Sequence, residues 1–282
     1  MADSELRTFT AGDGYAWHYR RYGPVGTPRA EIVGLHGIQS HGGWYENSCG
    51  QLAAAGYAVS FLDRRGCGLN DRDRGDAPSF RRLLDDVAEY MANLPRPRFV
   101  MGTSWGGKLA VGLQRRHPGL TDGLVLIAPG LCPRIRPPVI ERLRIAICRF
   151  VAPRRRFPIP LNEPDLFTAN PERQEFIRSD PLALREATAR LLFESRRMDV
   201  YLRFAARHVT MPVLLLLAGK DRIIDNAATR RFIERFPATH KTVIENSGTH
   251  HTLEFEPGGP AFPSDLLEWL DRTRFAHPGS VS

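Results

Sequence analysis

Short apolar runs recur along the chain, separated by longer amphipathic or turn-rich stretches. The runs that predict strands are Ile32–Leu35, Tyr57–Leu62, Phe99–Gly102, Leu124–Ala128, Val213–Ala218 and Lys241–Glu245. The stretches that predict helices are Tyr45–Ala55, Phe80–Leu94, a segment that ends at Arg116, Ala227–Phe236 and Ser264–Arg274. Short strands that alternate with helices are typical of a parallel sheet covered on both faces. We therefore predict an α/β fold with a mostly parallel sheet, opened by a hairpin over Leu6–Thr10 and Ala16–Tyr22.

The alternation stops between Gly130 and about Val209. This region is first rich in proline and arginine and then helical, and it lacks a strand-like apolar run. An interruption of roughly 80 residues is too long for an ordinary loop. We therefore predict a core of residues 1–130 and 209–282, with residues 131–208 inserted as a helical cap over the sheet edge where ligands bind.

The formal charge of the chain is +8, and it is concentrated in one segment. Residues 131–160 carry eight arginines and a single acid, Glu141, so almost all of the net charge lies there. A nucleic-acid-binding protein would combine its basic residues with aromatic side chains or a recognisable module, and neither is present. The sequence therefore predicts no nucleic-acid partner.

Composition indicates a cytoplasmic globular protein. Apolar residues make up 42% and charged residues 25% of the 282 residues, which excludes collagen-like and wholly disordered chains. The four cysteines lack metal-ligand spacing, so we expect free thiols in a reducing compartment. No signal peptide is visible, and the longest apolar stretch, Met211–Ala218, is too short to span a bilayer.

The segment Gly102–Gly107, GTSWGG, follows a predicted strand and precedes a predicted helix. The motif G-x-S-x-G is short, and on its own it is weak evidence. In this context it predicts a nucleophile elbow, a sharp turn that lifts the Ser104 hydroxyl out of the sheet. The alternative is a glycine-rich turn with an incidental serine.

A serine nucleophile needs a base to take its proton and an acid to orient that base. Asp221 follows one predicted strand and His251 follows the next, which gives the chain order serine, acid, histidine. Asp225 is an alternative acid, although its position suits the N-cap of the following helix. His250 is an alternative base.

An oxyanion hole is the third part of such a site. The segment Leu35–Gln39 follows the first parallel strand, where a backbone N–H can face the reacting carbonyl. The residue after the serine, Trp105, supplies the second amide. The alternative for this segment is an ordinary turn at the end of a strand.

These motifs resemble those of the α/β-hydrolase superfamily, and within it the monoacylglycerol lipase and lysophospholipase-like group. The matching positions are a histidine-led segment (His36, Gly37, His41, Tyr45), an aspartate-led turn (Asp63, Arg65, Gly66, Gly68), the serine turn (Gly102, Ser104, Gly106, Gly107), the acid Asp221 and a cap segment, Asp180–Leu182. In that group the histidine lies three residues after a glycine and five before a glutamate, a spacing that selects His251. Two positions depart from the pattern: Asn70 replaces the usual serine, and Trp105 replaces the commoner methionine or glutamine.

The resemblance implies a carboxylic-ester hydrolase that acts through an acyl-enzyme on a monoacylglycerol, a lysophospholipid or another small acyl ester. It implies Ser104 as nucleophile, His251 as base and Asp221 as orienting acid. It also implies the backbone amides of Ile38 and Trp105 as the oxyanion hole, and no cofactor or metal. A bulky Trp105 narrows the acyl site. The alternatives are an amidase or peptidase with the same triad and a binding protein that has lost catalysis.

The predicted cap contains an amphipathic stretch, Val139–Val151. Its apolar stripe consists of Val139, Ile140, Leu143, Ile147 and Val151. Such a stripe usually packs on its own domain. The alternative is an interfacial helix beside Arg154–Arg156 that contacts anionic membranes, which would make the protein membrane-peripheral. Codon bias explains arginine in place of lysine, but not the missing acids.

Overall fold

The computed structural model describes residues 4–260 and 262–274. Its strands are β1 (Glu5–Thr10), β2 (Ala16–Tyr22), β3 (Glu31–Leu35), β4 (Ala58–Leu62), β5 (Arg98–Thr103), β6 (Gly123–Ile127), β7 (Arg156–Pro158), β8 (Glu186–Thr188), β9 (Val213–Ala218) and β10 (Lys241–Asn246). Its α-helices are α1 (Glu46–Ala54), α2 (Phe80–Ala92), α3 (Gly106–Arg116), α4 (Val139–Val151), α5 (Pro171–Ser179), α6 (Ala189–Ala205), α7 (Asn226–Glu234) and α8 (Pro263–Arg274).

Among the described residues, eight strands form one sheet in the order β1-β2-β4-β3-β5-β6-β9-β10. The first two pairings are antiparallel and the others are parallel. Every residue of β3, β4, β6 and β9 is buried, because helices cover both faces of the sheet. The predicted α/β fold, its opening hairpin and its mostly parallel sheet are confirmed.

Two apolar layers hold the sheet between the helices. On one face, Leu84 of α2 and Leu109 and Leu113 of α3 are buried in a single cluster with sheet residues. On the other face, Leu52 of α1 and Leu266 of α8 are buried in a second cluster. The core therefore lies on both sides of the sheet, and it fixes the carboxyl ends of the parallel strands at one edge.

The region between β6 and β9 is largely helical, but one part of the sequence prediction for it is wrong. It contains α4, α5 and α6 together with β7 and β8, which pair antiparallel through three residues each. We expected no strand there. The segments Arg156–Pro158 and Glu186–Thr188 are too short to show an apolar period, and their pairing buries Phe157 and Ala187.

Helix α4 packs through the face opposite to its apolar stripe. Ile145 and Cys148 are buried against Phe157 and Ala189 in a small separate cluster. The six remaining large apolar side chains are between 53% and 77% exposed: Val139, Ile140, Leu143, Ile147, Phe150 and Val151. The expectation that this stripe packs on its own domain is therefore wrong. Within the described ranges, no helix is both long and apolar enough to cross a membrane.

Candidate active site

Ser104 lies in a strained turn between β5 and α3. Its backbone φ is +51°, in the left-handed region that non-glycine residues rarely adopt. A Cβ on Gly106 would overlap the Leu35 carbonyl oxygen, and one on Gly102 would lie 2.7 Å from the Gly106 carbonyl oxygen. The flanking glycines therefore allow the helix to begin against the sheet, as the elbow motif predicts.

A continuous hydrogen-bond relay connects Ser104 to the carboxylate of Asp221. His251 Nε2 lies 2.9 Å from Ser104 Oγ, and His251 Nδ1 lies 2.8 Å from Asp221 Oδ2. The other carboxylate oxygen accepts the amides of Ile223 and Ile224 at 2.8 and 2.9 Å. Since a carboxylate accepts hydrogen bonds, Nδ1 of His251 is the donor in this contact and carries the ring proton. Nε2 is then free to accept the serine proton.

The two alternative residues have other contacts. Asp225 caps α7, where its side chain accepts the Ala228 amide at 2.9 Å. The His250 amide donates to Glu256 Oε1 at 2.7 Å, and His250 Nδ1 lies 3.2 Å from the same oxygen. The structure therefore brings together Ser104, Asp221 and His251, and it places Asp225 and His250 in different hydrogen bonds.

The two predicted oxyanion donors lie beside the serine. A Cβ built on Gly37 would lie 3.3 Å from Ser104 Cβ, so the Gly37–Ile38 peptide is close to the Ser104 side chain. Trp105 immediately precedes α3, where backbone amides point outward and favour negative charge. Within the part of the chain that the structure describes, neither the Ile38 nor the Trp105 amide donates to a protein acceptor.

The cleft at Ser104 is lined mainly by apolar and neutral polar side chains. Ile38 and Trp44 come from the loop after β3, whereas Leu161 and Phe167 come from the region between β6 and β9. None of the described lining residues is a carboxylate. The described lining is thus uncharged apart from His251, whose ring can take up a proton.

Asp180 connects the region between β6 and β9 to the loop after β3, a contact that periodicity could not reveal. Its carboxylate accepts Trp44 Nε1–H at 2.7 Å and lies 3.1 Å from His41 Nε2. Burial opposes ionisation, but these hydrogen bonds outweigh it and hold the pKa of Asp180 below its usual range. The sequence signal for this residue was the family-like segment Asp180–Leu182.

Sequence reasoning also missed Arg64 and Glu254, both buried close to the site. Arg64 lies in the aspartate-led turn, but it is not one of the positions that match the family motif. Glu254 follows His251 by three residues, and its carboxylate accepts the Ser48 amide at 3.0 Å. Among residues 4–260 and 262–274, no cluster of three histidine, cysteine or acidic side chains is arranged to hold a metal ion.

Comparison with known proteins gives the family. The family described as serine aminopeptidase, S33, matches residues 26–258, which is most of the chain. The chain belongs to this family. The monoglyceride lipase of Homo sapiens is 27% identical over 261 residues, covering 89% of this chain and 85% of that protein. The monoacylglycerol lipase of Mycolicibacterium smegmatis is 27% identical over 266 residues, covering 89% of this chain and 91% of that protein.

A solved structure confirms the fold class. The crystal structure of the Paleococcus ferrophilus monoacylglycerol lipase superposes with a TM-score of 0.83 at 24% identity, covering 95% of this chain and 99% of that one. The protein is an α/β-hydrolase, as the resemblance implies.

Proposed function

We propose that the protein hydrolyses carboxylic esters with Ser104 as nucleophile, His251 as general base and Asp221 as the acid that orients the imidazole. The observation that carries this proposal is the relay of 2.9 and 2.8 Å hydrogen bonds from Ser104 through His251 to Asp221. The lipase relatives support ester chemistry.

The reaction follows from these contacts. Ser104 Oγ attacks the ester carbonyl carbon while His251 Nε2 takes its proton, and the amides of Ile38 and Trp105 stabilise the oxyanion. The tetrahedral intermediate collapses, the C–O bond to the alcohol breaks, and His251 protonates the departing alkoxide. Water, deprotonated by His251, then attacks the acyl-enzyme, releasing the acid and restoring the Ser104 hydroxyl.

The substrate we propose is a monoacylglycerol or a related small acyl ester. The names of the relatives favour this class, and the apolar lining from Leu161, Phe167 and Trp44 suits an acyl chain. A peptidase that binds a free amino terminus needs a carboxylate near the nucleophile, and no described lining residue supplies one. This favours esters over aminoacyl substrates, although the family description names an aminopeptidase.

A substrate comparison tests the proposal. We expect the purified protein to release fatty acid from monoacylglycerols and to leave aminoacyl p-nitroanilides intact. Ser104→Ala and His251→Ala should each lower ester kcat by at least about 10³-fold, because each removes one member of the relay. The matched variant His250→Ala should retain turnover. Preferential anilide hydrolysis would contradict the substrate, and a silent His251→Ala would contradict the base.

We further propose that residues 131–208 form a cap over Ser104 and that helix α4 contacts an anionic membrane. Leu161 and Phe167 support the first part, because they line the cleft together with Ser104 and His251. The exposed stripe on α4 supports the second, because large apolar side chains such as Phe150 gain free energy when they leave water. Arg154 and Arg155, which follow α4 closely, are exposed and add attraction to anionic headgroups.

Vesicle binding tests the membrane contact. We expect stronger binding to vesicles that contain phosphatidylserine than to neutral phosphatidylcholine vesicles. Replacing Arg154 and Arg155 with glutamine should lower that preference about 30-fold, since each arginine near the surface contributes about 1 kcal/mol. Ile147→Ser with Phe150→Ser should weaken binding to both vesicle types. In all these variants the hydrolysis of a short water-soluble ester should not change, because that substrate does not have to be taken from a vesicle. Equal binding of all variants would refute the membrane proposal.

A further inference from the structure

Arg64 lies behind both halves of the oxyanion hole. Its guanidinium Nη1 donates to the Gly37 carbonyl at 2.9 Å, and Nη2 donates to the Ile38 carbonyl at 2.8 Å. The same guanidinium lies 4.6 Å from the centre of the Trp105 ring. One buried side chain therefore contacts the two segments that carry the Ile38 and Trp105 amides.

The Gly37 carbonyl also receives a hydrogen bond from His36. The Arg64 backbone N–H donates to His36 Nε2 at 3.0 Å, so Nε2 is an acceptor and the ring proton lies on Nδ1. Nδ1 lies 2.7 Å from the Gly37 carbonyl oxygen. Burial, assisted by the Arg64 charge, lowers the pKa of His36 well below its usual range and keeps the ring neutral. Arg64 is thus the cationic donor to this carbonyl.

The Gly37 C=O and the Ile38 N–H belong to one peptide group. A charge-assisted hydrogen bond to the carbonyl oxygen withdraws electron density from the peptide and makes its N–H a stronger donor. The same bond fixes the peptide plane, so the N–H keeps its direction toward the place where the oxyanion develops. Both effects favour the tetrahedral intermediate over the planar ester.

The guanidinium of Arg64 has no direct carboxylate partner among the described residues, and Asp63 acts on it only through longer-range Coulomb attraction. Among the described residues, no carboxylate oxygen lies within 4.0 Å of its guanidinium. The next residue, Arg65, differs in this respect, because it pairs with Asp86 at 2.7 Å and with Asp13 at 2.9 Å. A buried cation without a carboxylate partner attracts a nearby developing negative charge more strongly than a neutralised pair does.

We propose that Arg64 is a positioning residue of the oxyanion hole, acting through the Gly37–Ile38 peptide and the Trp105 ring. This inference rests on the proposed serine-ester function. It predicts that Arg64 contributes mainly to the tetrahedral intermediate and little to the binding of the ground-state ester.

Kinetics and a boronic acid inhibitor test it. In Arg64→Lys we expect kcat to fall about 10- to 100-fold with KM changed less than about twofold, because only the intermediate loses stabilisation. An alkylboronic acid forms a tetrahedral adduct with the serine, so its Ki should rise by a similar factor. In Arg64→Ala, millimolar guanidinium should restore part of the lost kcat. Arg65→Lys is the matched control and should keep the wild-type kcat and Ki.

The outcomes separate this inference from the proposed function. Folded Arg64 variants with wild-type kcat would overturn it, and so would a lower kcat with an unchanged boronic acid Ki and no rescue by guanidinium. If Arg64→Ala does not fold, Arg64→Lys alone decides through kcat and Ki. Either failure leaves the serine-ester proposal standing, whereas turnover by Ser104→Ala would refute that proposal whatever Arg64 does.

Discussion

At the scale of single residues, the turn after β5 holds Ser104 in a strained backbone conformation. The left-handed backbone of Ser104 costs roughly 1–3 kcal/mol, and the surrounding structure holds it in place. The Ser104 amide donates to the Ile127 carbonyl at 2.9 Å, and its carbonyl accepts the Gly107 and Gly130 amides at 2.9 and 2.6 Å. In this conformation Ser104 Oγ lies 2.9 Å from His251 Nε2. The strained backbone lowers the free energy of unfolding, and it goes together with this contact.

Relief of that strain is measurable. Glycine adopts a positive φ without a steric penalty, whereas alanine does not. We expect Ser104→Gly to be more stable than Ser104→Ala by about 1 kcal/mol in urea unfolding, although both variants are inactive. A Ser104→Ala protein at least as stable as Ser104→Gly would contradict the claim that this turn is strained.

Glu254 gives the stability of the protein a pH dependence. Burial raises the pKa of its carboxyl from 4.5 to about 7 in the folded protein. Because the folded pKa exceeds the unfolded one, this contribution to stability is complete below pH 4.5 and is lost as the pH rises through about 7. The glutamine of Glu254→Gln does not ionise, so the variant should not lose this stability. Its free energy of unfolding minus that of the wild type should therefore rise by roughly 1–3 kcal/mol between pH 5 and pH 8.

Urea unfolding at the two pH values measures this effect. The exposed Glu268, which pairs with Arg272 on the surface of α8, provides the control. Glu268→Gln should follow the wild-type pH dependence. A Glu254→Gln variant that also follows it would refute the assigned role of Glu254.

At the scale of elements, the strands and helices were predictable wherever burial imposed a period. The run VLLLLA forms β9, because a sheet covered on both faces demands continuous apolar strands. The segment GTSWGG spans the end of β5, the turn at Ser104 and the start of α3. The pair β7 and β8 was not predictable, since three-residue strands carry no period. The orientation of α4 depends on packing against Ala189, which is distant in sequence. The contacts of Arg64 likewise depend on tertiary structure.

Asp180 is one of the residues that join the region between β6 and β9 to the rest of the fold. Removing its carboxylate leaves the buried donors of Trp44 and His41 without a partner. We expect Asp180→Ala to lower the free energy of unfolding by roughly 2–3 kcal/mol in urea titrations. Asp165→Ala, in the same region, breaks an exposed pair with Arg222 and should cost less than about 1 kcal/mol. Equal losses in the two variants would contradict this account.

At the scale of the whole molecule, the region between β6 and β9 carries most of the net charge and also supplies two residues to the cleft at Ser104. Residues 131–160 carry most of the +8 charge, and the residues that follow them supply Leu161 and Phe167 to the cleft. The exposed stripe of α4 belongs to the same region. The position of this charge was readable from the sequence, whereas the exposure of the apolar stripe was not.

The central claim is that Ser104 is the nucleophile activated by His251. Reaction with a fluorophosphonate, followed by intact-protein mass and peptide mapping, tests it most directly. The account predicts a single adduct on the peptide that contains Ser104, no adduct in Ser104→Ala, and labelling slowed by at least about 10²-fold in His251→Ala. An adduct on another residue, or labelling of Ser104→Ala at the wild-type rate, would contradict it.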